Sequence, residues 1–182
     1  YTYDVTNATS SYLVYLERLV ENGQKALAAK SATALLKSAI SAKQTPTRTA
    51  ALKILADAQG ALSVPSLQKA VASPAIEERI AALKLAQKFL TPANTQQWIA
   101  ALPRFKPEAQ AEVITMLGQA DAKTALPALL KQLSSKVSVV KIAAIGASAK
   151  IGQESILKNL LDVLKKSSDD EVKAVKTALL SL

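Results

Sequence analysis

Large apolar residues recur through this chain at a fixed interval of 31 residues. One series consists of Leu36, Leu67, Trp98, Leu129 and Leu160, and a second of Ile40, Val71, Leu102, Leu133 and Leu164. All ten positions are large and apolar, although only 49% of the chain is apolar even with alanine counted. An internal period of this size indicates a stacked-repeat architecture, in which one supersecondary unit is copied and each copy contacts its neighbours.

The repeated unit is predicted to be helical. Aromatic residues make up 4% of the chain, with only 5 Gly and 7 Pro. That is too few aromatic residues for a β-sandwich or barrel. Abundant Ala, Leu, Lys and Gln favour helices instead. The fold class predicted from the sequence is therefore all-α.

Each unit is predicted to contain two helices, A and B. Helix A carries the two apolar series and is expected at 31–42, 64–72, 94–102, 123–134 and 154–166. Helix B begins near a polar or basic residue with the same period, at Arg48, Arg79, Gln110 and Lys141. Small and apolar residues follow it three and four positions later, at Ala51, Ala82, Val113 and Ala144 and at Leu52, Leu83, Ile114 and Ile145. The fifth copy is displaced by one residue, with Ser168 or Asp169 as the expected cap of its last helix.

The domain organisation follows from this period. Residues 1–29 are predicted to form a lead-in and a capping helix from Ser10 or Ser11 to about Glu21, rich in tyrosine. Residues 30–182 are predicted to form one continuous array with units at about 30–60, 61–91, 92–122, 123–153 and 154–182. Pro65 and Pro127, two periods apart, are expected in the first turn of helix A, where proline is tolerated. Gly60, Gly118 and Gly152 are candidate helix C-caps.

The repeat resembles a HEAT repeat. The resemblance rests on the helix-turn-helix unit, whose clearest copies are RTAALKILADAQG at 48–60 and VVKIAAIGASAKIG at 139–152. Its length is closest to the short bacterial, phycobilisome-lyase-type HEAT-like repeat. An acidic residue in the turn before helix B is clear only at Asp169-Asp170, which departs from the usual pattern. The resemblance implies a right-handed α-solenoid of about five antiparallel helix pairs, with helices B on the concave side, and a role in binding macromolecules.

The composition argues against several kinds of metal-binding and catalytic site. Without Cys or His, the usual zinc and transition-metal ligand sets cannot be built, and the commonest general base and the thiol nucleophile are missing. The carboxylate pairs, such as Glu77-Glu78, lie mainly at predicted helix starts, where acids favour the helix dipole. We therefore expect no catalytic residue, cofactor or metal, and a chain that is not itself an enzyme.

The strongest candidate site is a basic stripe on helix B. Offsets 0, +5 and +9 in the first four units share one side of the helix, and seven of these twelve positions are basic while Asp57 is acidic. The basic residues are Arg48, Lys53, Arg79, Lys84, Lys88, Lys141 and Lys150. They would make a concave face electropositive in a chain of net charge +9. The alternative is that these positions are simply the solvated side of helix B.

Two functions are compatible with these features. The first is a non-catalytic protein-interaction or scaffolding module, an accessory region of a larger bacterial protein, with a protein partner or an adjacent domain of the same polypeptide. The second is a basic solenoid that binds nucleic acid, although no aromatic residues interleave with the stripe. No stretch predicts a membrane span. The sequence does not decide the cellular compartment. We expect a periplasmic or secreted location if the chain is a region of a processed bacterial protein, and a cytoplasmic location otherwise.

Overall fold

The computed structural model describes residues 7–41, 43–165 and 167–182. Within these ranges the regular elements are α-helices and short 3-10 turns, with no strand. The prediction of an all-α fold is therefore confirmed. Tyr1, Tyr3 and the predicted helix ends at Ala42 and Lys166 lie outside the described residues. The chain divides into two compact units between Phe89 and Leu90.

The described residues of the first unit form five α-helices. They are α1 (Ala8–Glu21), α2 (Lys25–Ser41), α3 (Thr45–Gln59), α4 (Val64–Val71) and α5 (Ile76–Lys88), with a 3-10 turn at Gly60–Ser63 before α4. Helices α2 and α3 pack extensively on each other, as do α4 and α5, and α3 packs on α5. These are the A and B helices of the first two predicted repeats.

The capping helix α1 packs on both α2 and α3. It begins after Asn7 rather than at Ser10 or Ser11 and ends at Glu21, with Asn22 as its C-cap and Gly23 next at a positive φ of 78°. Its buried Leu16 and Leu19 lie in one cluster with alanines of α2 and with apolar residues of α3. Helix α1 thus supplies the neighbour that the first repeat would otherwise lack.

In the second unit, six α-helices are formed by the residues that the structure describes. They are α6 (Pro92–Ala101), α7 (Pro107–Gln119), α8 (Leu126–Gln132), α9 (Ser138–Gly152), α10 (Leu157–Leu164) and α11 (Asp169–Leu179), with 3-10 turns at Leu102–Arg104, Lys123–Ala125 and Gln153–Ile156. The B helices form the centre of this unit, because α9 packs on α7 and on α11. Consecutive helix pairs stacked in chain order are the arrangement of an α-solenoid.

The 31-residue apolar series is buried in the middle of the chain and departs from the prediction at its ends. Seven of the ten residues are at most 7% exposed: Leu67, Val71, Trp98, Leu102, Leu129, Leu133 and Leu160. In the first repeat, however, Leu36 is only half-buried and Ile40 is 51% exposed. The buried face of α2 instead centres on Ala28, Ala32 and Ala39, because α1 packs on this helix and shifts the core around its axis. Leu164, in the last repeat, is half-buried.

The predicted positions of prolines at helix starts and glycines at helix ends are correct in part. Pro65 and Pro127 lie in the first turns of α4 and α8. Gly60 is the C-cap of α3, with φ 56°. The C-cap prediction is wrong for Gly118 and Gly152, which lie inside α7 and at the last residue of α9. Gly118 is buried where α7 approaches α9, so its role is close packing rather than helix termination.

The cap of the last helix is the one that the sequence predicts. Ser168 is the N-cap of α11 and forms a capping box with Glu171. Lys176 and Thr177, which occupy phases that are apolar in the other repeats, are both exposed. A single continuous domain over 30–182 and a right-handed twist stay predictions.

Candidate functional site

The seven candidate basic residues all lie on B helices. In the first unit, α3 carries Arg48 and Lys53, and α5 carries Arg79, Lys84 and Lys88; in the second unit, α9 carries Lys141 and Lys150. Their side chains differ sharply in exposure and in partners. The stripe is therefore not a row of equivalent cations.

Arg48 is part of a buried ion pair. Its guanidinium contacts the carboxylate of Glu78 at the start of α5, and the two side chains are 17% and 3% exposed. The hydroxyl of Ser73 donates a second hydrogen bond to Glu78 Oε2 at 2.5 Å. A carboxylate in the first turn of α5 also complements the positive end of the helix dipole. Arg48 thus fastens α3 to α5 and offers little charge to a partner.

Lys141 repeats this arrangement in the second unit. Its Nζ donates to Glu171 Oε2 at 2.9 Å, and the side chains are 16% and 6% exposed. Burial alone would raise the pKa of Glu171. The hydrogen bonds from Lys141, the Ser168 backbone N–H and the Ser138 hydroxyl, together with the charge of Lys141, outweigh burial and lower that pKa below its usual value. Lys141 therefore connects α9 to α11 as Arg48 connects α3 to α5.

Lys53 and Lys88 share the one acidic residue of the stripe. Asp57 Oδ1 accepts from Lys88 Nζ at 2.7 Å, and its Oδ2 lies 3.4 Å from Lys53 Nζ. Lys53 also donates to Glu17 of α1 at 3.0 Å. That hydrogen bond is the main reason that the pKa of Lys53 is raised. Burial would raise the pKa of Asp57, but the two lysines lower it.

The three remaining residues have different surroundings. Arg79 is half-buried and donates to the backbone carbonyl oxygen of Ser73 at 3.3 Å. Lys84 and Lys150 are exposed, and neither forms an ion pair with any residue that the structure describes. These two lysines present an unneutralised charge.

Lys84 borders a groove between α3 and α5 with a volume of about 750 Å³. Pro46, Ala50, Ala81 and Leu85 form its apolar surface, and Lys53 and Glu77 also line it. Ile76 and Ile80 lie on α5 and are 53% and 46% exposed. The helical spacing places Ile80 next to Ala81 and Lys84, at the edge of the groove. This part of the first unit is shaped for apolar contact more than for capture of anions.

Sequence reasoning missed the acidic partners. The sequence predicts a helix-start role for Glu78 and gives no partner for Glu171, whereas the structure pairs both with bases. Each lies 30 residues after the base that it binds, one less than the repeat period. The same spacing occurring twice was a signal for ion pairs between successive B helices. These two glutamates make the basic stripe less positive than its own positions predict.

The other candidate surfaces are also defined by the structure. Trp98 is fully buried, as expected for a core residue. The rings of Tyr12 and Tyr15 stack with centroids 6.2 Å apart and are 39% and 50% exposed as residues. Among the described residues, no group of three or more acidic side chains is placed to hold a metal ion.

The fold and the 31-residue period define a class, the α-helical repeat proteins, in which each helix pair packs on its neighbours. Residues 95–181 match the family model described as HEAT repeats. The resemblance to HEAT repeats that the sequence indicated is thus confirmed over this part of the chain. No curated protein and no solved structure matches the chain significantly. In the part of the chain that the structure describes, no helix has the length and apolarity needed to cross a membrane.

Proposed function

We propose that the chain is a non-catalytic protein-binding module that docks a protein partner, or an adjacent domain of the same polypeptide, along the B helices of its first unit. HEAT repeats generally mediate protein–protein interaction or scaffolding. The observation that carries the proposal is the groove between α3 and α5, with its apolar surface, the exposed Ile80 and the unpaired Lys84. Interfaces are held mainly by a few large apolar anchors, with charged residues at the rim.

The charge distribution supports a protein partner over a nucleic acid. Four of the seven basic candidates are held in internal ion pairs: Arg48, Lys53, Lys88 and Lys141. A cation that is already neutralised releases few counterions when a phosphate approaches, so it adds little to nucleic-acid affinity. No aromatic side chain lines the groove for base stacking.

A crosslinking experiment tests the groove directly. We would place a photo-crosslinking amino acid at Ala81, on the groove surface, and at Val139 of α9 as the control position. The protein captured at Ala81 is purified, and its affinity for the chain is measured by calorimetry. The double variant Ile80→Glu/Lys84→Glu should weaken this binding at least tenfold.

A matched variant separates the groove from a general loss of charge. Lys150→Glu/Leu180→Glu also replaces one unpaired lysine and one exposed apolar residue, since Leu180 is 90% exposed. It should leave the affinity unchanged. Equal losses in both variants, or equal crosslinking at both positions, would contradict the proposed dock.

The capping helix is a second docking surface compatible with the same function. Removing α1 would uncover the core that Leu16 and Leu19 cover, so truncation cannot separate docking from folding. Tyr12→Ser/Tyr15→Ser changes only exposed rings. Loss of partner binding in this variant, with the groove variant unaffected, would move the dock to α1.

The nucleic-acid alternative has its own test. Fluorescence anisotropy with duplex and single-stranded oligonucleotides at about 50 mM salt favours electrostatic binding. We expect no saturable binding. Tight binding that falls steeply with salt would replace the protein-binding proposal with the nucleic-acid one.

A further inference from the structure

A second groove of the first unit lies between α2, the end of α3 and the 3-10 turn at Gly60–Ser63. Its volume is about 690 Å³. Three lysines of α2 line it, Lys25, Lys30 and Lys37, and its surface is otherwise mainly alanine. The basic stripe of the B helices does not include any of these lysines.

These lysines are not neutralised. All three are exposed, and none forms an ion pair with a described residue. No acidic residue lines the groove. By contrast, Lys53 and Glu77 both line the groove between α3 and α5, and Lys53 is paired with Glu17. The groove on α2 is therefore the more electropositive of the two.

The same groove has apolar anchors at its edges. Leu62, which lines it, is 80% exposed. Ile40 is 51% exposed and lies one helical turn beyond Lys37, on the face of α2 that carries Ala29 and Thr33. Ile40 is exposed because the core of α2 is shifted towards Ala32 and Ala39. The departure from the repeat pattern thus places an apolar residue beside a row of free lysines.

We propose that this groove binds an acidic amphipathic segment of a partner protein. The apolar side of the segment would cover the alanine surface, Leu62 and Ile40, while its carboxylates would meet the three lysines. Lys25 and Lys37 are separated by about 18 Å along the helix axis at 1.5 Å per residue. A segment of about twelve helical residues spans that distance.

The chemistry of the lining favours a protein segment over a polyanion. Arginine forks and aromatic rings, which recognise phosphates and unstacked bases, are missing from the lining. The apolar surface would remain unused by a phosphate backbone. This inference rests on the proposed protein-binding function, but it concerns a different surface from the groove between α3 and α5.

The test uses the full chain and synthetic probes. The first probe is a fluorescein-labelled peptide of fourteen residues with leucine at helical spacing and glutamate elsewhere; the second replaces each glutamate by glutamine; the third is a single-stranded oligonucleotide. Affinities are measured by anisotropy, and the site is mapped from amide chemical shifts of α2 and of residues 58–62. We expect only the acidic peptide to bind, with shifts confined to these segments.

Two pairs of variants make the result specific. Lys30→Glu/Lys37→Glu should weaken binding of the acidic peptide at least tenfold. The control variant Lys131→Glu/Lys136→Glu changes the net charge by the same amount at exposed lysines of the second unit. It should leave the affinity for the acidic peptide unchanged. Leu62→Ser should weaken binding and Leu180→Ser should not.

Three outcomes would overturn the proposal. They are no binding of the acidic peptide up to 1 mM, equal losses in both double lysine variants, and tighter binding of the oligonucleotide than of the peptide. The Ile80→Glu/Lys84→Glu variant distinguishes the two surfaces. If this variant loses the natural partner but still binds the acidic peptide, both proposals are supported independently. If the variant still binds both the natural partner and the acidic peptide, only the proposed dock between α3 and α5 is wrong.

Discussion

Replacing Gly118 by alanine should destabilise the second unit, although alanine is normally the better helix residue. A Cβ at this position would lie 2.6 Å from the Cα and 2.7 Å from the Cβ of Ala147 on α9. Carbon atoms pack at about 3.5–4.0 Å, so α7 and α9 would have to separate by about 1 Å. The obstacle is backbone and Cβ, which cannot rotate away as a long side chain could. The close approach of α7 to α9 therefore requires glycine.

Two opposing contributions determine how much Gly118→Ala destabilises the unit. Overpacking costs roughly 1–3 kcal/mol, and the rigid obstacle favours the upper end of this range. Replacing glycine by alanine inside a helix contributes about 1 kcal/mol in the opposite direction. We expect a net loss of about 2 kcal/mol in the free energy of unfolding.

Gly146→Ala is the matched control, because Gly146 also lies inside a helix, α9, and a Cβ there meets no atom within 4 Å. This variant should gain about 0.5–1 kcal/mol. Urea unfolding is followed by the fluorescence of Trp98, the only tryptophan of the chain, which is buried in the same unit. With a slope of about 2 kcal/mol per molar urea, the midpoint of Gly118→Ala should fall by about 1 M. A midpoint at or above that of the wild type would refute the packing argument.

Four further substitutions test the core and the ion pairs. Leu133→Ala should cost about 2–5 kcal/mol by opening a cavity, whereas Ile40→Ala, at the equivalent but exposed position, should cost less than about 1 kcal/mol by urea unfolding; equal costs would contradict the shifted core of α2. Glu78→Gln should cost roughly 2–3 kcal/mol, because it removes the charge that balances the largely buried Arg48, and no change in the unfolding midpoint would show that this pair contributes nothing. The lowered pKa of Glu171 means that its contribution to stability is fully present above its unfolded pKa and is lost as the pH falls from about 4.5 through the folded value. Glu171→Gln should accordingly flatten the pH dependence of unfolding in that acidic range, and an unchanged profile would exclude this carboxylate as its source.

The periodic sequence determined the helical class, the 31-residue unit and most of the core. Trp98, Leu129 and Leu133 are buried as their phase predicts, because each occupies the same position between stacked helix pairs. Capping at Ser168 was also predictable, since a cap depends on neighbouring residues alone.

Only the tertiary structure decided which side of α2 faces the core and which cations are free. The position of α1 shifts the core of α2 and exposes Ile40, and no local pattern in α2 encodes that neighbour. Arg48 and Lys141 belong by sequence to the same basic stripe as the exposed Lys84 and Lys150, yet glutamates 30 residues away neutralise them. Charge on a helix face is fixed by sequence, but the charge that a partner meets depends on which acids the fold brings beside it. The repeat therefore set the architecture, whereas contacts between successive helices decided where a partner can bind.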